Sequence, residues 1–217
     1  MAITLKLTGK LFDSEEVQPT FRAVKELSEK EDLAVVTGGG GLARRLIGIA
    51  RSIGLNEGLL DQLGIEAARL HARLLASYLD GYKGVPRSLE EFLEAWSLKR
   101  PVVAGGFQPG QSTAGVASLV AEVTNSRLLI LATTVDSVYD RDPRKHPDAK
   151  PLKEVKLSDL MAILSRDQDV KAGTYELIDP LAAKVLMRSK IPVRVLHFKD
   201  LPKLIKGEEV GSLVVPE

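Results

Sequence analysis

Short apolar runs alternate with longer amphipathic stretches along this chain. The runs lie at residues 3–7, 33–36, 101–104, 128–132, 192–196 and 212–215, and their length and composition are typical of buried strands. Apolar residues three or four positions apart, as over residues 19–31, predict helices between these strands. Strands joined by helices pair in parallel, so the sequence predicts an α/β fold with a mainly parallel sheet. The sequence contains no linker and no internal repeat, which predicts one domain over residues 1–217.

The longest helical stretch covers about residues 56–82. We interpret one set of its apolar residues as a buried stripe, formed by Leu59, Leu60, Leu63, Ala67, Leu70, Leu74 and Tyr78. Asp61 and Gln62 fall off this stripe, and we interpret His71 as a surface or packing histidine. A long helical stretch between strands also indicates helices that are available for an oligomer interface.

Four consecutive glycines follow the second apolar run. Residues 37–45 place them between the end of a predicted strand and the start of a predicted helix. Glycines let backbone N–H groups approach a ligand closely, and a helix N-terminus favours an anion. Arg44 and Arg45 add positive charge in the first turn, so we favour a phosphate site over a flexible turn. The spacing matches neither the Walker motif nor the dinucleotide motif Gly-x-Gly-x-x-Gly.

Two other segments lie at the ends of predicted strands. Lys6 lies in the first strand, just before the turn at residues 8–10. Its side chain either faces solvent or points into a site at the carboxyl end of the sheet, where open α/β sheets bind ligands. Residues 105–113 follow the third strand, and a loop of this length at a strand end is typical of a binding element. Two glycine loops on one side of one sheet predict two anionic ligands, or two ends of one ligand.

The composition narrows the classes of function. The chain has 30 lysines and arginines and 29 aspartates and glutamates, a balance that argues against a protein that coats nucleic acid. It has no cysteine, which excludes disulfides and thiolate chemistry and favours the cytosol. No apolar run is long enough to span a bilayer, and the N-terminus has no signal-peptide pattern. We therefore expect a cytoplasmic protein that binds neither nucleic acid nor membrane.

Seven segments carry a family resemblance. They are residues 5–10 (LKLTGK), 36–40 (VTGGG), 43–45 (ARR), 61–65 (DQLGI), 105–113 (GGFQPGQST), 132–139 (ATTVDSVY) and 178–182 (IDPLA). In this order they resemble the amino-acid kinase superfamily and, within it, the archaeal type of UMP (uridylate) kinases. The resemblance covers essentially the whole chain. It implies a three-layer αβα sandwich and the reaction ATP + UMP → ADP + UDP, a step of pyrimidine nucleotide biosynthesis.

The resemblance also implies roles for individual residues. The ATP phosphates and the transferred phosphoryl group would contact Lys6, Gly9, Lys10, Gly40 and Arg44. The ATP base and ribose would contact Thr133, Thr134, Tyr139 and Asp142. UMP would contact Gly39, Asp61 through its ribose, and the loop residues Phe107, Gln108, Pro109, Gly110, Gln111, Ser112 and Thr113. Lys6, Lys10 and Arg44 are thus the implied catalytic residues, together with Asp179, which would orient the catalytic lysine.

The residue types agree with this chemistry. Phosphoryl transfer needs positioned reactants and positive charge around the moving group, which Lys, Arg and backbone N–H groups supply. The second pKa of a phosphate monoester is about 6, so the acceptor is mainly a dianion near pH 7 and needs no general base. Mg²⁺ commonly stays on substrate phosphates and water, so we expect Mg²⁺ to arrive with ATP and predict no protein ligand to it. The family is typically hexameric and cytoplasmic, which implies a homo-hexamer.

Two kinds of rival function are open. One is a kinase of the same fold with another phosphoryl acceptor, and the other is a binding protein without catalysis. Isopentenyl phosphate kinases have a histidine just after the glycine run, where this chain has Gly41 and Leu42. Acetylglutamate and aspartate kinases phosphorylate a carboxylate, which Asp61 would repel. A non-catalytic oligomer that binds nucleotide or an oxyanion cluster would not need a full set of catalytic cations. The chain departs from the family at three positions. The family often has Asn where this chain has Thr134, Gly where it has Ser137 and Asp where it has Ala114. These departures leave the selectivity for the nucleotide base open.

Overall fold

A seven-stranded sheet forms the middle layer of the protein. The computed structural model describes residues 1–141, 146–166 and 177–216. The strands are β1 (Ala2–Leu7), β2 (Asp32–Thr37), β3 (Val102–Ala104), β4 (Leu128–Thr133), β5 (Val138–Tyr139), β6 (Pro151–Leu152), β7 (Glu154–Lys156), β8 (Val193–His197) and β9 (Ser212–Val215). The sheet order is β3-β2-β1-β4-β8-β9-β7, and β5 and β6 form a separate antiparallel pair. Within the large sheet only the described β8–β9 pair is antiparallel.

Helices cover both faces of this sheet. They are α1 (Val17–Lys30), α2 (Gly40–Ser52), α3 (Glu57–Tyr78), α4 (Leu89–Leu98), α5 (Thr113–Val123), α6 (Leu157–Arg166), α7 (Pro180–Ser189) and α8 (Leu201–Ile205). One apolar core lies between the sheet and α1, α3 and α8, and the other lies between the sheet and α4, α5, α6 and α7. The three-layer α/β prediction is therefore confirmed. The extent of the domain over residues 1–217 stays a prediction.

Side chains of the interior strand β1 alternate between the two cores. Leu5 and Leu7 point into the core beneath α1 and α3, so Lys6 points to the opposite face of the sheet. Lys6 pairs in register with Val36 on β2 and Leu131 on β4. Because these strands are parallel, their carboxyl ends meet at one edge of the sheet. The loops that follow them form the candidate site.

The buried face of α3 differs from the predicted stripe. Leu60 and Ala67 are buried as predicted, but the prediction was wrong for the four residues that are 44–59% exposed: Leu59, Leu70, Leu74 and Tyr78. The face that packs on the sheet instead contains Ala68, His71, Ala72 and Leu75. Leucines occur on both sides of α3, so apolar periodicity alone did not determine its orientation. Small alanines on the other side let the helix approach the sheet closely.

Candidate active site

A pocket of about 260 Å³ opens at the carboxyl edge of the sheet. Its walls come from the loop after β1, the loop after β2, the end of β4 and the start of α5. They are formed by Lys6, Thr8, Gly9, Lys10, Gly38, Gly39, Gly40, Arg44, Thr113, Leu131, Thr133 and Leu177. Eight of these residues were predicted to bind ATP or UMP. The sequence therefore predicted the position of the pocket, while the role of each residue stays a prediction.

The β1 loop (residues 8–13) and the β2 loop (residues 38–41) cross backbone to backbone. A Cβ atom added to Gly9 would lie 2.0 Å from the Gly40 nitrogen, and one added to Gly40 would lie 2.2 Å from the Gly9 oxygen. Gly40 also has φ +56, in the left-handed region that favours glycine. The Gly38 N–H donates to the Leu7 carbonyl at 3.0 Å, which extends the β1–β2 pairing into the pocket. Glycine at these positions is therefore required by the crossing itself.

Lys6 carries its charge into this pocket from the middle of the sheet. Its side chain is half-buried among apolar strand residues and lines the pocket. Burial lowers the pKa of the Lys6 ammonium from 10.5 to about 8. Within the part of the chain that the structure describes, no carboxylate pairs with it. An anionic ligand in the pocket would supply the missing counter-charge, so of the two readings of Lys6 the structure supports the one that points into the site.

Two further cations stand at the rim of the pocket, and Asp13 connects the loops that carry them. Lys10 and Arg44 are both exposed and line the pocket. The Asp13 carboxylate accepts from the Gly41 N–H at 2.7 Å and lies 3.8 Å from the Arg44 guanidinium. Asp13 therefore joins the β1 loop to the N-terminus of α2, where a carboxylate is stabilised by the helix dipole. Nothing in the local sequence pattern indicated this contact, because it spans 28 residues.

His71 supports the two loops from beneath. It is buried on α3, and its Nδ1 lies 2.7 Å from the Gly38 carbonyl. Its ring stacks on Phe12 of the β1 loop, with ring centres 3.9 Å apart. The interpretation of His71 as a packing histidine is confirmed, although sequence reasoning did not connect it to the glycine run. The two loops are thus fixed to α3 as well as to each other.

The β3–α5 loop (residues 105–112) forms the other side of the site. Ser112 caps α5 by accepting from the Ala114 and Gly115 N–H groups, and its hydroxyl donates to the Asp179 carboxylate. Asp179 is buried and caps α7 by accepting from the Ala182 N–H at 2.9 Å. The described hydrogen bonds of its carboxylate therefore go to Ser112 and Ala182. The role of Asp179 in orienting a lysine stays a prediction.

The other predicted UMP residues lie in this loop or beside it, but mostly outside the pocket wall. Asp61, on α3, accepts from the Gly110 N–H at 2.8 Å, and its carboxylate is exposed. Phe107 is half-buried against the core beneath α4 and α5, whereas Gln108 and Pro109 are exposed. Gln111 has a buried Oε1 without a hydrogen-bond partner. Within the pocket wall this side is represented by Thr113.

The predicted ATP base and ribose residues follow β4. Thr133 is buried and lines the pocket, and Thr134 is half-buried beside it. The Tyr139 hydroxyl donates to Asp136 at 3.0 Å, and burial is the main cause of the raised pKa of Tyr139. Asp142, also predicted to bind ATP, lies outside the described residues.

The described residues also bear on metal binding and on membranes. Among residues 1–141, 146–166 and 177–216, no three His, Asp or Glu side chains group as a metal-binding cluster. None of the described helices is both long enough and apolar enough to cross a membrane. The cations and backbone N–H groups of the pocket suit phosphate oxygens.

Known proteins resemble this chain over its full length. Residues 1–197 match the amino acid kinase family. The chain is 50% identical to the uridylate kinase of Sulfolobus acidocaldarius and 48% identical to that of Sulfurisphaera tokodaii, with all of both chains covered in each case. The crystal structure of uridylate kinase from Archaeoglobus fulgidus superposes with a TM-score of 0.87 at 35% identity, covering 99% of this chain and 100% of that one.

Proposed function

This chain belongs to the amino acid kinase family, and we propose that within it the protein is a UMP kinase, a phosphotransferase that converts ATP and UMP to ADP and UDP. The observation that carries the proposal is the pocket in which Lys6, Lys10 and Arg44 converge on two crossed glycine loops. Relatives named uridylate kinase match the whole chain at up to 50% identity, which supports UMP as the acceptor. The product UDP places the reaction in pyrimidine nucleotide biosynthesis.

The pocket residues would stabilise the charge of the moving phosphoryl group. An oxygen of the UMP phosphate forms a bond to the γ-phosphorus while the bond to the β–γ bridging oxygen breaks, and ADP leaves with that electron pair. Lys6 would neutralise charge from the floor of the pocket, and Lys10 and Arg44 from its rim. Backbone N–H groups at the start of α2 would hold phosphate oxygens. No side chain has to act as a base, since the acceptor is already a dianion.

Kinases that use ATP require a divalent metal, and we propose Mg²⁺ for this one. When bound with ATP, Mg²⁺ would neutralise phosphate charge. Its protein contacts would be indirect, since small octahedral Mg²⁺ keeps several waters and binds substrate phosphates. We also place the enzyme in the cytoplasm, where ATP and UMP are both present.

A substrate panel tests the proposed function. ADP release would be measured with ATP and Mg²⁺ and with UMP, CMP, dTMP, AMP or isopentenyl phosphate as the acceptor. We expect turnover with UMP, because the full-length relatives are uridylate kinases. Turnover with isopentenyl phosphate alone would reassign the acceptor. Silence with every acceptor would refute catalysis and favour a nucleotide-binding oligomer.

We propose a homo-hexamer, with the exposed apolar face of α3 as one of its contacts. Leu59, Leu70, Leu74 and Tyr78 lie along one side of α3 and are 48%, 59%, 54% and 44% exposed. Apolar residues at this spacing on a long helix form a continuous stripe, which is costly to leave in water. A second copy of the chain could bury this stripe against its own α3, as in other isologous contacts.

Leu74→Glu is expected to disrupt this assembly. A carboxylate in the middle of an apolar contact would remain charged and lose its water, which opposes association. We expect the mass from light scattering after size exclusion to fall below that of the wild type. Leu98→Glu is the matched control, because Leu98 is 75% exposed at the end of α4, away from the stripe. An unchanged mass for Leu74→Glu would exclude this face as the contact.

A further inference from the structure

One arginine holds the β3–α5 loop against α3. Arg69 donates from Nε to the Gly106 carbonyl and from a terminal nitrogen to the Phe107 carbonyl, both at 3.2 Å. The same terminal nitrogen donates to the Arg87 carbonyl at 3.2 Å, just before α4. The other terminal nitrogen donates to Glu66 at 2.7 Å, one turn earlier on α3. Only 10% of the Arg69 side chain is exposed, so the side chain itself is largely buried between α3 and the loop.

The start of this loop lies too close to α3 to carry side chains. A Cβ atom on Gly105 would lie 2.7 Å from the backbone nitrogen of Arg69, and one on Gly106 would lie 2.9 Å from a side-chain carbon of Ile65. This approach brings the loop carbonyls within reach of the guanidinium. Further along the loop, the Gly110 N–H donates to Asp61, which is also on α3. The helix therefore fixes the loop at two separate points.

We propose that Arg69 is a positioning residue for the phosphoryl acceptor, which keeps the β3–α5 loop in the shape that receives UMP. The inference rests on the proposed function, in which this loop lines the UMP side of the site. Arg69 itself does not line the pocket, so it acts through the loop. The planar guanidinium can bond several carbonyls at fixed angles, which the single ammonium of lysine cannot reproduce. The loops after β1 and β4, assigned to ATP, do not hydrogen-bond Arg69 in the described chain.

Arg69→Met tests this role because it removes every donor and keeps an unbranched apolar side chain. We expect the KM for UMP to rise about 10- to 100-fold, since displacing a positioning element by about 1 Å costs on that order. The KM for ATP should change by less than about threefold, because the ATP side keeps its contacts. Arg69→Lys should recover part of the loss. Both KM values would be measured at saturating co-substrate, and near-UV circular dichroism would verify folding.

Arg73 provides the matched control one turn further along α3. Its guanidinium also donates to a backbone carbonyl, in this case the Lys83 carbonyl at 2.9 Å. Neither Arg73 nor Lys83 lines the pocket. Arg73→Met should therefore leave both KM values at the wild-type level. The positioning role would be refuted if the Arg69 variants raised the KM for UMP and the KM for ATP equally, or if they raised neither value. If Arg69→Met failed to fold, Arg69→Lys would decide by the same comparison. A wild type with no turnover on UMP would instead refute the proposed function.

Discussion

Lys6→Met is expected to abolish phosphoryl transfer and at the same time to stabilise the fold. The substitution removes the ammonium at the floor of the pocket and keeps an unbranched chain of similar length. We expect kcat to fall about 10³-fold or more, in the range that loss of a charge-stabilising group costs phosphoryl-transfer enzymes. The free energy of unfolding at pH 7 should rise by roughly 1–3 kcal/mol, because a partly desolvated charge is removed.

The stability gain follows from the lowered pKa of Lys6. The difference between 10.5 in the unfolded chain and about 8 in the folded protein corresponds to roughly 3 kcal/mol, an upper bound. Between pH 8 and 10.5 the unfolded chain binds more protons at this residue, so the contribution of Lys6 to stability rises with pH across that window. Below pH 8 the full cost of the buried charge is present. The gain from Lys6→Met should therefore be largest there and should shrink above pH 8.

Activity should show the opposite dependence on pH. The pH profile of kcat/KM for ATP reports the ionisation of the free enzyme, so it should decline above about pH 8 as Lys6 loses its proton. Chemical denaturation at pH 7 and pH 10 would measure the stability difference. Lys25→Met, at an exposed position on α1, is the control and should change neither kcat nor stability by much. Full activity in Lys6→Met would remove Lys6 from the mechanism.

Local pattern predicted the layout of the site but not its internal supports. The strand at residues 3–7 and the glycines at 38–41 were predictable, because apolar runs and glycine runs are continuous in sequence. These signals placed Lys6, Gly9 and Gly40 at one sheet edge, as the structure does. Asp13, Arg69 and His71 were not connected to the site, since each acts through a backbone group about 30 residues or more away. Such contacts leave no periodic trace in a single sequence.

The second glycine loop also shows that the same residue type can have a different cause than the sequence predicted. Gly105 and Gly106 were interpreted with the first glycine run as signs of anion binding. In the structure a Cβ on either would collide with α3, so these two glycines are explained by packing. The orientation of α3 was missed for a related reason. Its buried face is rich in alanine, with Leu60 and Leu75 among the alanines, because small residues allow the close approach that Arg69 and His71 need.

Gly9→Ala is expected to disable the enzyme through a single methyl group. The added Cβ would lie 2.0 Å from the Gly40 nitrogen and 2.6 Å from the Gly38 oxygen. Both neighbours are backbone atoms that cannot rotate away, so the two loops must separate. We expect the free energy of unfolding to fall by about 2–4 kcal/mol, as overpacking and backbone strain typically cause. Because Lys10 follows directly in the chain, kcat should fall about 10²-fold or more as the cations leave their positions.

The same substitution at Gly48 should have the opposite effect on stability. Gly48 lies in the middle of α2, and a Cβ atom there would meet nothing within 4 Å. Alanine is the better helix former, so Gly48→Ala should stabilise the protein by about 0.5–1 kcal/mol and leave kcat unchanged. Thermal unfolding and steady-state rates of both variants would separate the crossing of the loops from a general intolerance of alanine. If Gly9→Ala gave the same thermal stability and the same rate as Gly48→Ala, the close backbone crossing of the β1 loop and the β2 loop would not be needed to hold them together.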